Sequence, residues 1–344
     1  MKKKFLSVVA VVMACSMLFG CSTKKSANEA ESTVESTKDV VQTEEAQNTG
    51  AVRVAALKGP TAMGMVKMMD DDGGAQYDFS IVAAVDEITP KIVKGDVDIA
   101  AVPANLASVL YNNTKGEVEV LAINTLGVLY IAENGDSVQS VADLKGKTIY
   151  SSGKGATPEY ALNYMLSANG IDPEKDVTIE WKSEHSECVA AIAEKENGIA
   201  MLPQPFLTTA QLKNDKIRVA IDLTKEWETV SSRDNKDATL ITGVVVARKG
   251  FVEENKEAVS AFLDKYKESV EYVNANNDDA ATLIEKFDIV PAAVAKKALP
   301  SCNITFIAGD EMQKKLSGYL SVLSAQNPNS VGGALPNEDF YFKK

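Results

Sequence analysis

The sequence predicts an α/β fold of two lobes joined by two crossings, with a cleft between them. Three observations carry that expectation. From Ala51 onward, short apolar runs alternate with helical patterns, the rhythm of strand–helix–strand units. Several runs are unbroken Val, Ile, Leu and Ala, as in strands buried on both faces, so mostly parallel sheets are expected. Two polar breaks, Asp136–Asp143 and Ser231–Asp237, bracket an inserted segment, and 344 residues exceed the roughly 250–300 that one core usually serves.

In chain order, residues 1–20 read as a secretory signal. Lys2, Lys3 and Lys4 precede an apolar run from Phe5 to Leu18, shorter than the ~20 residues a membrane span needs. The run ends in Leu18-Phe19-Gly20-Cys21, which resembles the lipobox of bacterial lipoproteins and implies acylation of the Cys21 thiol by chains such as palmitate. Phe19 is bulkier than the usual residue there. Residues 21–50 follow as a tether: Ser22–Gly50 has no aromatic residue and is rich in Ser, Thr, Glu, Gln and Asn, too polar to bury a core.

The expected strands are Val52–Leu57, Phe79–Ala84, Val97–Val102, Val118–Asn124, Val128–Ala132, Thr148–Ser151, Val177–Trp181, Gly198–Leu202, Ile217–Ile221 and Ile241–Ala247. A helix opens with Thr157 as N-cap and Pro158 at its first position, carries Ala161, Tyr164, Met165 and Ala168, and closes at Gly170. The next, around Ser186–Asn197, buries Val189, Ile192 and Ala193. A longer one from Glu253 has the stripe Val259, Phe262, Leu263, Tyr266, Val270 and Val273, and the last, from Asp310, the stripe Met312, Leu316, Tyr319, Leu320 and Leu323. The chain is expected to leave the first lobe near Ala132 and return near Thr239. That gives lobe 1 as 51–135 and 238–344, and lobe 2 as 136–237.

Composition removes several function classes. The net charge of −12, with no Lys/Arg-rich run beyond the N-terminus, argues against nucleic-acid binding. A single histidine, His185 in Glu184-His185-Ser186-Glu187, rules out multi-histidine metal or catalytic clusters and reads as a surface residue. Gly-x-Ser-x-Gly, the Walker loop and zinc spacings are absent from the sequence, so no catalytic residue, metal or cofactor is expected. Cys15 leaves with the signal, and Cys188 and Cys302 are read as separate buried thiols rather than a disulfide. Met63, Met65, Met68 and Met69 suit core or a soft pocket wall, since thioethers alone hold little but Cu(I).

Four stretches carry a resemblance. They are Leu57-Lys58-Gly59-Pro60-Thr61, Lys94-Gly95-Asp96-Val97-Asp98-Ile99-Ala100 leading into Val102-Pro103-Ala104-Asn105, Val141-Ala142-Asp143-Leu144-Lys145-Gly146-Lys147-Thr148-Ile149, and Met201-Leu202-Pro203-Gln204-Pro205. In this order, behind a signal, lipobox and spacer, they resemble the substrate-binding lipoproteins of ABC importers. Within that group the chain resembles those with the type II periplasmic-binding-protein fold: nitrate, sulfonate and taurine receptors and those for thiamine-precursor pyrimidines. The resemblance implies a monomeric receptor at the extracytoplasmic face of the cell membrane, held there by its N-terminal lipid, that takes a small molecule to permease and ATPase subunits. Two other readings share the fold: a ligand-sensing lipoprotein without transport, and an enzyme like the thiamine-pyrimidine synthase, whose cysteine-rich motif is missing here.

Ligands of open α/β sheets bind at the C-terminal ends of strands, where helix N-termini offer N–H groups and partial positive charge. That places the expected site in three loops plus two later positions: Gly59, Pro60, Thr61 and Ala62; Pro103 and Asn105; Ser151, Ser152, Lys154, Gly155 and Thr157; then Gln204 and Thr242. Gln204 is read as both donor and acceptor toward a ligand. Thr61 and Thr157 also suit helix caps, and Lys154 suits solvent. Tyr130, Tyr150, Phe206, Trp181 and Trp227 suit core packing better than stacking on a ligand. The arginines Arg53, Arg218, Arg233 and Arg248 all lie outside these loops, which favours a monoanion or neutral heterocycle over a dianion.

Overall fold

The alternation of apolar runs and amphipathic stripes folds as two separate sheets. A computed structural model describes residues 50–233 and 238–343. The expected signal segment, the acylation site Cys21, the tether through residue 49 and part of the return crossing lie outside the described residues. The first run of elements is β1 (Val52–Leu57), α1 (Pro60–Met63), α2 (Val66–Asp72), β2 (Tyr77–Val82), α3 (Val85–Lys94), β3 (Ile99–Pro103), α4 (Ala104–Asn113) and β4 (Val118–Leu126). The second is β5 (Leu129–Asn134), β6 (Thr148–Ser151), α5 (Thr157–Ala168), β7 (Thr178–Trp181), α6 (His185–Glu194), β8 (Ile199–Pro203), α7 (Phe206–Lys213), β9 (Ile217–Asp222) and α8 (Leu223–Arg233). The last is β10 (Ile241–Arg248), α9 (Lys249–Glu254), α10 (Lys256–Ala275), α11 (Asn277–Lys286), α12 (Ala292–Ala298), β11 (Ile304–Ile307) and α13 (Gly309–Gln326).

One sheet has the order β11-β4-β10-β3-β1-β2 and the other β7-β6-β8-β5-β9. The expectation of mostly parallel sheets is corrected. β1 is parallel to β2 and β3, and β6 to β7 and β8, but β10 is antiparallel to β3 and β4, and β5 to β8 and β9. The reason is the crossing itself. β1, β3, β6 and β8 end at the cleft, whereas β5 and β10 each enter their sheet from the other one and so run away from it. The expected first crossing near Ala132 falls inside β5, which belongs to the second sheet; the chain crosses at Gly127–Val128 instead. Apolarity in β5 does not say which sheet it joins. A Cβ on Gly127 would collide with Thr224 and Leu240, so the crossing passes through a gap that only glycine fits.

The predicted stripes of α10 and α13 are buried throughout. The helix expected from Glu253 is interrupted at Asn255 and becomes α9 and α10. Helix α13 packs its Met312, Leu316, Tyr319, Leu320 and Leu323 into a cluster continuous with Leu162 and Met165 of α5 and Trp227 and Val230 of α8. The Trp227 ring lies 4.5 Å from Tyr164 and 5.6 Å from Tyr319, and its Nε1 donates to the Ala238 carbonyl at 3.0 Å. The segment after α13 straps α4: Ser108 Oγ donates to the Val331 carbonyl and Asn112 Nδ2 to those of Val331 and Ala334, each at 2.8 Å. Cys188 and Cys302 are buried free thiols, and burial pushes Cys188 up to about 11.

Candidate functional site

Strand ends and helix starts from both sheets meet at a cavity of about 130 Å³. Lys58, Pro60 and Thr61 follow β1; Pro103 ends β3; Thr125 comes from β4 and Thr242 from β10. The second sheet supplies Val128 and Leu129 at the crossing, Thr157 and Pro158 at the start of α5, His185 at the start of α6, and Pro203, Gln204 and Phe206 around the start of α7. Four helices of eight residues or more, α4, α5, α6 and α7, thus direct their N-termini at one space, and no carboxylate lines it. Unpaired N–H groups and aligned peptide dipoles give that space a positive potential. A larger hollow of about 440 Å³ beside Lys67 and Tyr272 is lined by helix flanks and the turn before β2, so it lacks this polarity.

The expected residues divide into three groups. Pro60, Thr61, Pro103, Thr157, Gln204 and Thr242 line the cavity. Gly59, Asn105 and Ser152 stand one layer behind. Gly59 caps α1 at φ 126°, a conformation that favours glycine. Asn105 is buried, donating Nδ2 to the Ser330 carbonyl at 3.2 Å and accepting from Thr157 Oγ1 at 3.2 Å. Ser152 Oγ sits 2.5 Å from His185 Nδ1. The third group lies away from the cavity. Ala62 is core, its amide donating to the Gly59 carbonyl at 3.0 Å. Ser151, the last residue of β6, is wholly buried and donates its hydroxyl to the Ser152 carbonyl at 3.2 Å. Lys154 and Gly155 are exposed, and the Gly155 amide donates to Glu159 Oε2 at 2.5 Å.

The two cap readings are also corrected. Helix α5 has Ala156 as its N-cap, with no side-chain cap bond, and Thr157 is its first residue. The Thr157 hydroxyl instead joins the two halves of the molecule, donating to Asn105 and accepting from Tyr319 Oη at 3.2 Å. Thr61 Oγ1 donates to the Leu57 carbonyl at 2.7 Å, and Gly59 holds the cap position of α1. Thr242 Oγ1 donates to the Leu126 carbonyl at 2.6 Å, and Thr125 Oγ1 to Asn124 Oδ1 at 3.1 Å. All four threonine protons are therefore engaged within the protein, and these hydroxyls meet the cavity as acceptors.

His185 was legible only as a polar residue before a helix. It is half-buried against the Phe206 ring, with centroids 4.9 Å apart, and burial lowers its pKa from 6.5 to about 4. It is a neutral ring in the cavity wall. Lys58, Thr125, Pro158 and Phe206 also escaped the site reading, although applying the strand-end rule to every strand would have reached Lys58 and Thr125. Three of the four arginines are occupied elsewhere: Arg53 and Arg248 grip Asp98 at 2.6 and 2.7 Å, and Arg218 holds Glu133 at 2.7 Å, while Arg233 is exposed at the end of α8.

The same architecture recurs among solved structures. An ABC transporter protein from Parabacteroides distasonis is 22% identical, with a TM-score of 0.72 over 86% of this chain and 99% of that one. The periplasmic aliphatic sulphonate binding protein SsuA from Escherichia coli is 16% identical, with a TM-score of 0.67 over 86% and 92%. The alkanesulfonate-binding protein SsuA from Xanthomonas axonopodis pv. citri, bound to MOPS, is 14% identical, with a TM-score of 0.62 over 84% and 95%. At such identities the likeness establishes the fold: two sheets with the periplasmic-binding-protein arrangement. No curated protein sequence matches the chain. A family model described as ABC transporter, phosphonate, periplasmic substrate-binding protein matches residues 62–298, from α1 to the end of α12 and across both sheets. With that match spanning the cavity and most of the sequence, the chain belongs to this family of extracytoplasmic substrate-binding components of ABC importers.

Proposed function

We propose that the protein captures a small organic monoanion in the cavity between its sheets and hands it unchanged to its permease. The convergence of four helix N-termini on a cavity without carboxylates carries this reading. The absence of arginine from the lining argues against a dianion. A polar heterocycle is the second reading, favoured by the Phe206 and His185 rings and by threonine hydroxyls that meet the cavity as acceptors. The site residues are those that line the cavity, with Asn105 and Ser152 supporting them. The chain works as a monomer of two lobes hinged at residues 127–128 and at the return crossing that ends at 238–240, and it performs no catalysis. Mass spectrometry of what is released from protein purified from its host tests this. An intact small acid or heterocycle is expected; a chemically altered product appearing over time would replace the receptor reading with an enzymatic one.

The anchor is proposed on sequence grounds. Leu18-Phe19-Gly20-Cys21 followed by a polar spacer describes a lipidated, tethered receptor, and no helix among the described residues is long and apolar enough to cross a membrane. Cys21→Ala is expected to move the processed protein from the membrane to the soluble fraction. Processed protein that still sediments with membranes excludes Cys21 as the anchor.

A further inference from the structure

Gln204 is 5% exposed and stands between two spaces: the interlobe cavity and a hollow of about 350 Å³ lined by Tyr130, Leu207 and Thr208. Its carbonyl end is fully committed. Helix α7 begins after Pro205, which has no side chain able to cap, and Gln204 supplies the missing cap from one residue further back. Gln204 Oε1 accepts from the Thr208 backbone amide at 3.3 Å and from the Thr208 hydroxyl at 2.8 Å. A backbone N–H can only donate, so the oxygen of this amide, and not its nitrogen, faces Thr208. Thr208 lines the hollow and is absent from the cavity wall. The oxygen is therefore committed on the hollow side, and Nε2 is the end of the amide left for the cavity that Gln204 also lines. Nε2 has no protein partner among the described residues.

We propose that Thr208 fixes Gln204 as a donor only, and that this amide selects ligands presenting an oxygen acceptor at the α7 side of the cavity. A ligand N–H placed there would oppose the Nε2 protons and leave both donors unpaired once the ligand displaces water. The inference rests on the receptor reading above and narrows it: the monoanion, or the heterocycle carbonyl, meets α7 with an oxygen. It also makes Thr208 a positioning residue that contacts no ligand.

Calorimetric titration with methanesulfonate and methanesulfonamide tests the selection: the two match in shape, the first an anion that presents only oxygens and the second neutral with an NH2 group in place of one, so the readout is how each variant changes each affinity relative to wild type. Gln204→Met is expected to weaken methanesulfonate about tenfold, the scale of one hydrogen bond to a charged group, and to change methanesulfonamide much less. Thr208→Val removes the shorter of the two bonds to Oε1 and keeps the backbone one, so the amide is held less firmly and the ratio of the two affinities is expected to move part of the way toward the sulfonamide. A parallel change for both probes, or none, overturns the proposal. The orientation is read without any ligand. In nuclear magnetic resonance, the Thr208 amide proton is expected to shift upfield and exchange faster in Gln204→Met but to stay protected in Gln204→Glu, which keeps the accepting oxygen. A Thr208 amide unchanged in Gln204→Met overturns the proposal. If that amide responds as expected while the wild type binds neither probe, the small-oxyanion reading is what fails.

Discussion

At the scale of single residues, His185 and Thr157 give the sharpest tests. The folded state holds His185 neutral down to about pH 4, whereas the unfolded chain protonates it near 6.5. Between those values the unfolded state binds more protons, so stability falls as pH drops from about 6.5 to about 4. Urea unfolding at both ends of that window is expected to show a shallower pH dependence in His185→Phe than in wild type. An anion bound beside the ring would raise its pKa, so affinity for a monoanion is expected to rise as pH falls through the same window, with proton uptake in calorimetry; a neutral heterocycle would show the smaller effect. Thr157→Val leaves Asn105 Oδ1 and Tyr319 Oη without this partner, which is expected to cost about 1–3 kcal/mol in unfolding free energy. Thr157→Asp separates the roles: aspartate is a good helix cap, but here it would bury a charge between neutral partners, so a loss of stability rather than a gain is expected.

At the scale of elements, the loop between β6 and α5 is the place where sequence and structure part. Its Ser, Gly, Lys and Thr residues have the composition of an anion-binding loop, yet Lys154 and Gly155 face solvent and the Gly155 amide serves Glu159. Gly155→Leu is expected to destabilise the fold by roughly 1–2 kcal/mol, because its φ of 78° disfavours a side chain, while leaving ligand affinity as it was. Strands and stripes were legible because periodicity reports burial directly. β1 and β6 fall on their expected residues, and every residue of the α10 and α13 stripes is buried. Strand direction was not legible, since β5 and β10 are apolar whichever way they run. Nor was the site's inner detail: His185 is set by the ring of Phe206 and the hydroxyl of Ser152, neighbours in space that no local pattern announces. β11 is four residues long and at the sheet edge, too short for its alternation to stand out.

At the scale of the whole molecule, the two halves touch at two places, one beside the neighbouring hollow and one at the cavity wall. Tyr130 Oη donates to the Ser301 carbonyl at 3.3 Å on one side, and Tyr319 and Asn105 hold Thr157 on the other. We expect ligand entry to require the second set to part. Tyr319→Phe is therefore expected to shift the ligand-free population toward open forms, raising the radius of gyration in solution scattering, and to weaken ligand binding severalfold because closure loses a hydrogen bond. Identical scattering with and without saturating ligand would count against movement of the halves. The aromatic packing at this junction has an optical consequence. The chain holds only two tryptophans, Trp181 and Trp227; the first ends the edge strand β7, and the second is sandwiched between Tyr164 and Tyr319 with its indole N–H on the backbone of the return crossing. If the halves part as proposed, Tyr319 is expected to leave the indole and water to reach it. Trp181→Phe therefore yields a protein with a single tryptophan, at this seam, whose emission under tryptophan-selective excitation is expected to shift to the red on opening and back to the blue on closure, a built-in label for the timing of capture and release.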